Sequence, residues 1–529
     1  MKQPAATVLL SLAAAVPAHA ALVVSKAPTS NVACVSGVCT ATAADAVLNA
    51  GDLKHLLAAG DVTVASGSAA QDIAFDAKLQ WTKPSRLTLD AWRGIAIGLD
   101  ITSEGAGGVT LTTNDGGSGG DLVFTGKGKV SFWDTSSSLI VNGTAYTLVD
   151  SIAGLSSAAA ADPNGFYALS RYYDASGDGA YASDPVPGNF GGTFEGLGHV
   201  IDNFALAPAA GSSFLGLFGH VTQSGIVRDL TLANASLHSK TGFYGAILVA
   251  DNRGTISHVN VAASIVTGGA QGSGALAGFN GGTISWCTAA GSILASGGKS
   301  AAGGLVAENG GTIAHSLSTA TVQAHFAGGL VSFNELGMIE TSAATGAVSA
   351  SGAGADASTT GGFVGRNQGT IDQSFSAGAV GDGPGVRRGH HNGQPRAEAG
   401  GFVAENVGTI TNAYSTGNVT GDDKSTSGGF AANSAEGTMI GASYSTGANM
   451  EDGKPSFGFA HDNADGANDY WDTDTSGTLI GCKEDCTGVT GLTTAQLQSG
   501  LPAGFDPAVW AESPGINNGF PYLIANPPQ

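Results

Sequence analysis

Charge is what this chain has least of. Only 12% of its 529 residues are Asp, Glu, Lys or Arg, about half the usual share. Cations are the scarcer sign: 21 Lys and Arg stand against 42 Asp and Glu, for a formal net charge of -21. So few cations cannot neutralise many phosphates, and nucleic acid is not an expected partner. Long apolar runs are missing as well. After residue 20 none approaches the roughly 18 residues of a membrane span, so no transmembrane segment is expected. No His is followed by Glu, which excludes the His-Glu-x-x-His zinc helix of metallopeptidases. Cysteines number five. Cys34 and Cys39 enclose four residues, and Cys482 and Cys486 enclose three; each pair can close a small loop in an oxidising compartment. Zinc is the alternative, but no His lies at ligand spacing from either pair; no metal or other cofactor is expected. Cys287 is left over and reads as a small buried apolar side chain.

Glycine, at 83 residues, is abundant, and it recurs in a pattern. Gly303-Gly304-Leu305-Val306-Ala307-Glu308-Asn309-Gly310-Gly311-Thr312-Ile313 is rewritten along the chain around Asn252, Asn280, Asn334, Asn367, Asn406, Asn433 and, decayed, Asn463. Successive Asn residues are 28, 29, 25, 33, 39, 27 and 30 residues apart, a period that signals a solenoid. The apolar bursts are two or three residues long, too brief for helices, while Thr, Val, Ile and Tyr favour strands and Asn and Gly favour corners. The expected fold is all-β, a right-handed parallel β-helix with capped ends. Its coils stack about 4.8 Å apart, and the corner Asn residues form a hydrogen-bonded ladder. Gly282, Gly311, Gly369 and Gly408, just after the Asn, are expected at a corner with positive φ.

The same residues carry a family resemblance. Gly303 to Ile313, and Gly400-Gly401-Phe402-Val403-Ala404-Glu405-Asn406-Val407-Gly408-Thr409-Ile410, resemble the GLUG repeat. That repeat occurs in filamentous-haemagglutinin-like (two-partner-secretion type) bacterial adhesins and in some IgA-cleaving metallopeptidases. Residues 87–122 and 139–149 and the tail from Tyr470 resemble the distal part of such adhesins, and Gly192 to Phe204 resembles the coil that precedes their repeat arrays. The large N-terminal secretion domain of these adhesins is not expected here, because adhesin-like coils begin within about 60 residues of the signal peptide.

In chain order, residues 1–20 read as a signal peptide, with Lys2, an apolar stretch and Ala18-His19-Ala20 as the cleavage site; the alternative is a short buried apolar segment. Residues 21–60 are expected to form an N-terminal cap with a short helix near Asp52 to Ala59. Residues 61–150 read as coils without the Gly-Gly signature, 151–243 as an irregular insert with transitional coils, 244–470 as the repeat helix, and 471–529 as a C-terminal cap. The coils from 61 to 470 are expected to stack as one rod, on the order of 70 Å long.

Candidate sites are few. The stretch from Gly381 to Glu398 holds the chain's cationic cluster, Arg387, Arg388, His390, His391 and Arg396, read as a projecting contact loop; a metal or anion patch is the alternative. Asp174-Ala-Ser-Gly-Asp178 and Asp472-Thr-Asp474-Thr-Ser476 have half a calcium-loop spacing but lack the twelfth-position Glu, and read as turns. Glu308, Glu405 and Asp251 stand just before the corner Asn and read as exposed turn charges; Glu195 and Asp202 share one coil. No catalytic residue is assigned. The expectation is a secreted or surface-associated adhesin-like protein, not an enzyme, exported by a Gram-negative-type bacterium to its surface, the medium or the periplasm. Its expected partners are surface glycans or matrix proteins, and copies of itself. The alternative is a β-helix polysaccharide lyase or glycoside hydrolase.

Overall fold

The computed structural model describes residues 20–528, apart from 209–213, 240–243, 269–270, 352–357, 382–396, 422–424, 436–437, 463–465 and 484–486. The chain is mostly β, a parallel β-solenoid of about 14 turns with few helices. Two segments share the rod, each around its own core.

In the first, strands Ala21–Ser25, Asp72–Phe75, Ile95–Ile97 and Leu122–Phe124 stack in parallel as one wall. Leu79–Trp81, Ile101–Ser103 and Val130–Phe132 make the second wall. Val38–Ala41, Val62–Ala65, Arg86–Asp90, Gly108–Thr112 and Ser138–Val141 make the third. Side chains alternate in and out at period two, so Leu87, Leu89, Val109 and Leu111 meet Phe75, Trp81 and Phe132 inside. The hairpin Val32–Val35 with Val38–Ala41, stapled by Cys34–Cys39, lies at the start. Beside it is a helix, Ala50–Ala59, with Asn49 capping two of its free N–H groups and Leu53 and Leu57 buried. Because Ala21–Ser25 already belongs to a wall, the coils begin before residue 61.

The two segments are joined by a reversal. Ser138–Val141 pairs antiparallel with Thr144–Val149 through Asn142-Gly143, both at positive φ, the hairpin turn that Asn-Gly favours. Thr144–Val149 then pairs in parallel with Phe166–Leu169, and that strand with Thr193–Glu195. Strands of the second segment therefore run opposite to their neighbours in the first, which corrects the expectation of one uninterrupted parallel stack. The stretch read as irregular includes a helix, Ile152–Ala161, capped by Ser151.

In the second segment each coil visits three sheets. Ser300–Gly303 lies in an eight-stranded side sheet, Val306–Asn309 in a ten-stranded front sheet, and Thr312–Ala314, Leu317–Ser318 and Thr321–Ala324 on the back. The Gly-Gly signature makes the side-to-front bend. A Cβ on Gly303 would collide with the Val306 carbonyl of its own coil, and one on Gly304 with the Gly329 carbonyl of the next. Inside, like stacks on like. Ile256, Ile284, Ile313, Ile339, Ile371, Ile410 and Ile440 form one column. Phe363, Phe402, Phe430 and Phe459 form another, with rings 4.7 to 5.0 Å apart and nearly parallel. Each stacked ring pair adds about 0.5–1.5 kcal/mol beyond its buried area.

The corner after the Asn is tight for a different reason from the one expected. Gly282, Gly311, Gly369 and Gly408 do not have positive φ. A Cβ on Gly311 would instead strike the Gly282 carbonyl, and one on Gly408 the Gly369 carbonyl: the coils approach too closely for a side chain. Positive φ occurs further on, six residues after the Asn at His258, Trp286, His315, Gln373 and Asn412 and seven after it at Thr341, and at the register equivalents Asp229, Ala442 and Asn468, all between 47° and 63°.

The tail divides in two. Val489–Leu492 pairs on Asp469–Asp472, and Gly481 accepts backbone hydrogen bonds from Phe459 and Ala460, so residues up to 492 close the last coil. From Thr493 the chain doubles back along the back sheet, correcting the expectation that all of 471–529 is an end cap. Leu497, Phe505, Trp510, Phe520 and Leu523 cover the column Leu317, Ala343, Phe375, Tyr414, Tyr444 and Tyr470. The strap is pinned by Tyr470 and Tyr444 hydroxyls donating to Ala503 and Pro521 carbonyls, and by Asn526 donating to Ser342 and Gln373 carbonyls.

Candidate functional site

Two concave regions gather polar and aromatic side chains. The first is the groove where the side and front sheets meet. In the front strands the third residue points out of the core, and strand register aligns these residues in one row: His220, Asp251, Phe279, Glu308, Phe333, Arg366, Glu405, Asn433, Asp462. The side sheet supplies a facing row that includes Phe214, Tyr244, Phe326, Thr359, Glu398 and Thr426. The rows touch: Phe214 packs on His220 at 5.3 Å, the Tyr244 hydroxyl donates to Glu308 Oε1 at 2.7 Å, and Phe326 packs on Phe333 at 5.3 Å. The Arg253 guanidinium lies over Phe279 at 4.4 Å, and Arg366 pairs with Glu405 at 3.2 Å. A recess of about 130 Å³ opens between Glu308, Phe333, Glu335, Arg366 and Gln368.

The groove carboxylates are not freely solvated. Burial raises the Glu308 carboxyl above its ordinary range against the Tyr244 hydrogen bond, with Glu335 adding to the rise. Burial, then the Glu405 charge, pushes Glu398 up to about 7, with Arg366 opposing. Glu308 and Glu405 are half-buried, which corrects their reading as exposed turn charges.

The second region is a pocket of about 100 Å³ at the junction of the two segments, lined by Phe124, Gly126 and Gly128 of the first and by Gly198, Asp229, Leu230, Thr231, His258, Asn260 and Trp286 of the second. Beneath it Arg228 is held by three carboxylates: Nε to Asp229 Oδ2 at 2.6 Å and Glu195 Oε2 at 3.4 Å, Nη2 to Asp121 Oδ1 at 3.0 Å. Burial works against the Arg228 charge, but Asp229, Glu195 and Asp121 outweigh it and raise its pKa. Burial, then the Asp229 charge, lifts Glu195 well above the carboxylate range. Asp229 lies 4.0 Å from His258 Nδ1, and His258, Trp286 and His315 stack in parallel. The sequence reading named Glu195 but not its partners, since Arg228, Asp229 and His258 come from other coils; only His258, six residues after Asn252, stood at a recurrent spacing.

The Asn residues line up in the core. Asn252 donates to Asn280 at 2.8 Å, Asn280 to Asn309 at 2.7 Å, Asn309 to Asn334 at 2.8 Å, Asn334 to Asn367 at 2.8 Å, and Asn367 to Asn406 at 2.9 Å. Asn433 is out of step. It pairs in register with Glu405 and faces the groove, while Ser434 takes the corner and accepts from Asn406. Cys34 and Cys39 are bonded, and Cys287 is a buried free thiol pushed up to about 12 by burial. Cys482 is disulfide-bonded; Cys486 lies outside the described residues, as do Asn463, Arg387, Arg388, His390, His391 and Arg396. In the Asp-rich turns the carboxylates are already engaged. Asp174 accepts from Ser176 and Asn203, Asp178 from Tyr173 and Tyr181, and Asp472 from Asp474, Thr475 and Thr494.

No family model and no curated protein matches this chain. Among solved structures it is similar to one described as a "putative immunoglobulin A1 protease from Bacteroides ovatus", at 16% identity over 69% of this chain and 86% of that one, with a TM-score of 0.29. A likeness of that size carries no argument about chemistry; the groove and the pocket stand on this chain's own residues.

Proposed function

We propose that this is a secreted, surface-associated, adhesin-like binding protein that holds glycans or matrix proteins through the side of its rod. The observation that carries the reading is the groove: aromatic rings and half-buried carboxylates repeat along one flank at the coil spacing. Rings offer flat apolar faces, and carboxylates and amides offer hydrogen bonds beside them, the mixture that recognises a sugar or an extended peptide. Equivalent shallow contacts about 4.8 Å apart sum to avidity where each alone is weak. Among the described residues no helix is long and apolar enough to cross a membrane, and the Cys34–Cys39 bond suits an oxidising, extracytoplasmic setting. The test is binding of the purified chain to a glycan and matrix-protein array. Binding that falls at least tenfold in Phe333→Ala with Phe279→Ala is expected; unchanged binding, or none to any ligand, refutes the reading.

One observation favours a polysaccharide-cleaving enzyme instead. Glu398, pushed up to about 7 by burial beside Glu405 and Arg366, has the character of a general acid next to a second carboxylate. Pectin, alginate and hyaluronan incubated with the protein would then yield unsaturated or reducing ends, and Glu398→Gln would abolish them.

A further inference from the structure

We propose that the junction pocket binds the edge of one pyranose ring of a neutral glycan, between Trp286 and Phe124 and hydrogen-bonded by Asp229, His258 and Asn260. The inference rests on the glycan reading of the rod but uses a separate surface.

The aromatic wall comes first. Trp286 is parallel to both its neighbours in the stack, yet its ring centre is 4.2 Å from His315 and 6.3 Å from His258. With coils about 4.8 Å apart, the indole overlaps His315 and slides past the smaller imidazole of His258. Trp286 is only partly buried and lines the pocket. Phe124, from the last strand of the first segment's first wall, lines the same pocket. Gly198 must be glycine for the walls to meet, because a Cβ there would strike the Gly128 carbonyl and the Phe124 ring.

The polar edge is unfinished. Nδ1 of His258 is buried and makes no hydrogen bond. It lies 4.0 Å from Asp229 Oδ1, too far for a direct bond but placed so that one hydroxyl between them can serve both. Buried polar atoms are rarely left without a partner. Asp229 is only 3% exposed, and its other oxygen takes Arg228 Nε. Asn260 accepts the Thr288 hydroxyl at 2.6 Å on its amide oxygen, which leaves its NH₂ for the pocket.

Size and charge narrow the ligand. About 100 Å³ admits the edge of one ring, not an oligosaccharide. Acidic sugars are disfavoured because Asp229, Glu195 and Asp121 surround a single Arg228, whose Nε and Nη2 are already bonded to Asp229, Asp121 and the Leu122 carbonyl.

The experiment is calorimetric titration of the full chain with methyl glycosides of neutral hexoses, N-acetylhexosamines and uronic acids. At least one neutral glycoside should bind saturably. Its affinity should fall at least tenfold in Trp286→His, which keeps a stacked ring at that place, and in Asn260→Ala, at unchanged melting temperature, and should not change in Val35→Ala, at an exposed residue of the N-terminal hairpin. Unchanged affinity in both pocket variants, or binding of uronosides alone, overturns the proposal. If array glycans still bind through the groove while no neutral glycoside binds here, the pocket proposal falls and the rod reading stands. If a neutral glycoside binds here while no glycan binds the groove, the rod reading falls alone.

Discussion

At the residue scale the corner Asn is the most sharply placed group in the chain. From Asn252 to Asn367 each side chain is fully buried, donates to the next Asn and, through the same amide, contacts a backbone carbonyl two or three residues on. Asn309→Ala should therefore strand Asn280 and Asn334, at about 1–3 kcal/mol for each buried group left unpaired. Asn433→Ala, on the groove face, should change denaturant melts by less than about 0.5 kcal/mol. Gly311→Ala should also destabilise, through the clash with the Gly282 carbonyl. A second residue sets a pH dependence. Asp469 is buried in the last coil, accepts from the Ser443 N–H, and has no partner for Oδ2. Burial pushes its pKa up to about 8 from 3.8, against backbone hydrogen bonds that lower it. The folded protein therefore keeps a proton that the unfolded chain loses above about pH 4. The resulting contribution is complete below pH 4 and is lost as pH rises through about 8. Asp469→Asn should flatten the dependence of melting temperature on pH across that window. The Asn ladder was legible in sequence because one residue type recurs in one context. Asn433 was misplaced because the motif decays there to Ala432-Asn433-Ser434, and only strand register separates the neighbours.

At the scale of elements, the bend into the front sheet and the corner behind it obey different constraints, and composition reveals only one. Where backbones crowd, glycine is obligatory and the repeat shows it. Where φ is positive, the fold tolerates Asp, His, Trp, Thr, Gln, Asn or Ala in turn, so no common residue announces the corner. The least suited of these is Thr341, because a β-branched side chain resists the left-handed region. Thr341→Asn should raise stability by about 1 kcal/mol, read from the denaturation midpoint. A serine column was equally hidden. Ser316, Ser342, Ser374 and Ser443 each accept an N–H from the preceding coil and donate to a carbonyl of their own. Serine is too common in this chain for four such positions to stand out.

At the scale of the whole molecule, the aromatic tail was legible but its destination was not, because its partners lie up to 184 residues away. Ending the chain after Thr493 should expose the column from Leu317 to Tyr470. The expected result is aggregation and a lower melting temperature with far-ultraviolet dichroism of the coils preserved; a monomeric truncation that melts like the parent would contradict the packing. The strap also acts as a gauge. It leaves the rod at the last coil and is fastened at Ser342 and Gln373, so it measures off a fixed number of coils. A duplication of one repeat upstream of residue 316 lengthens the rod and leaves that measure intact. The same duplication between 374 and 470 carries the anchor one coil out of reach. An added or lost coil is therefore accommodated in one half of the array, and the other half is held to length by its own tail.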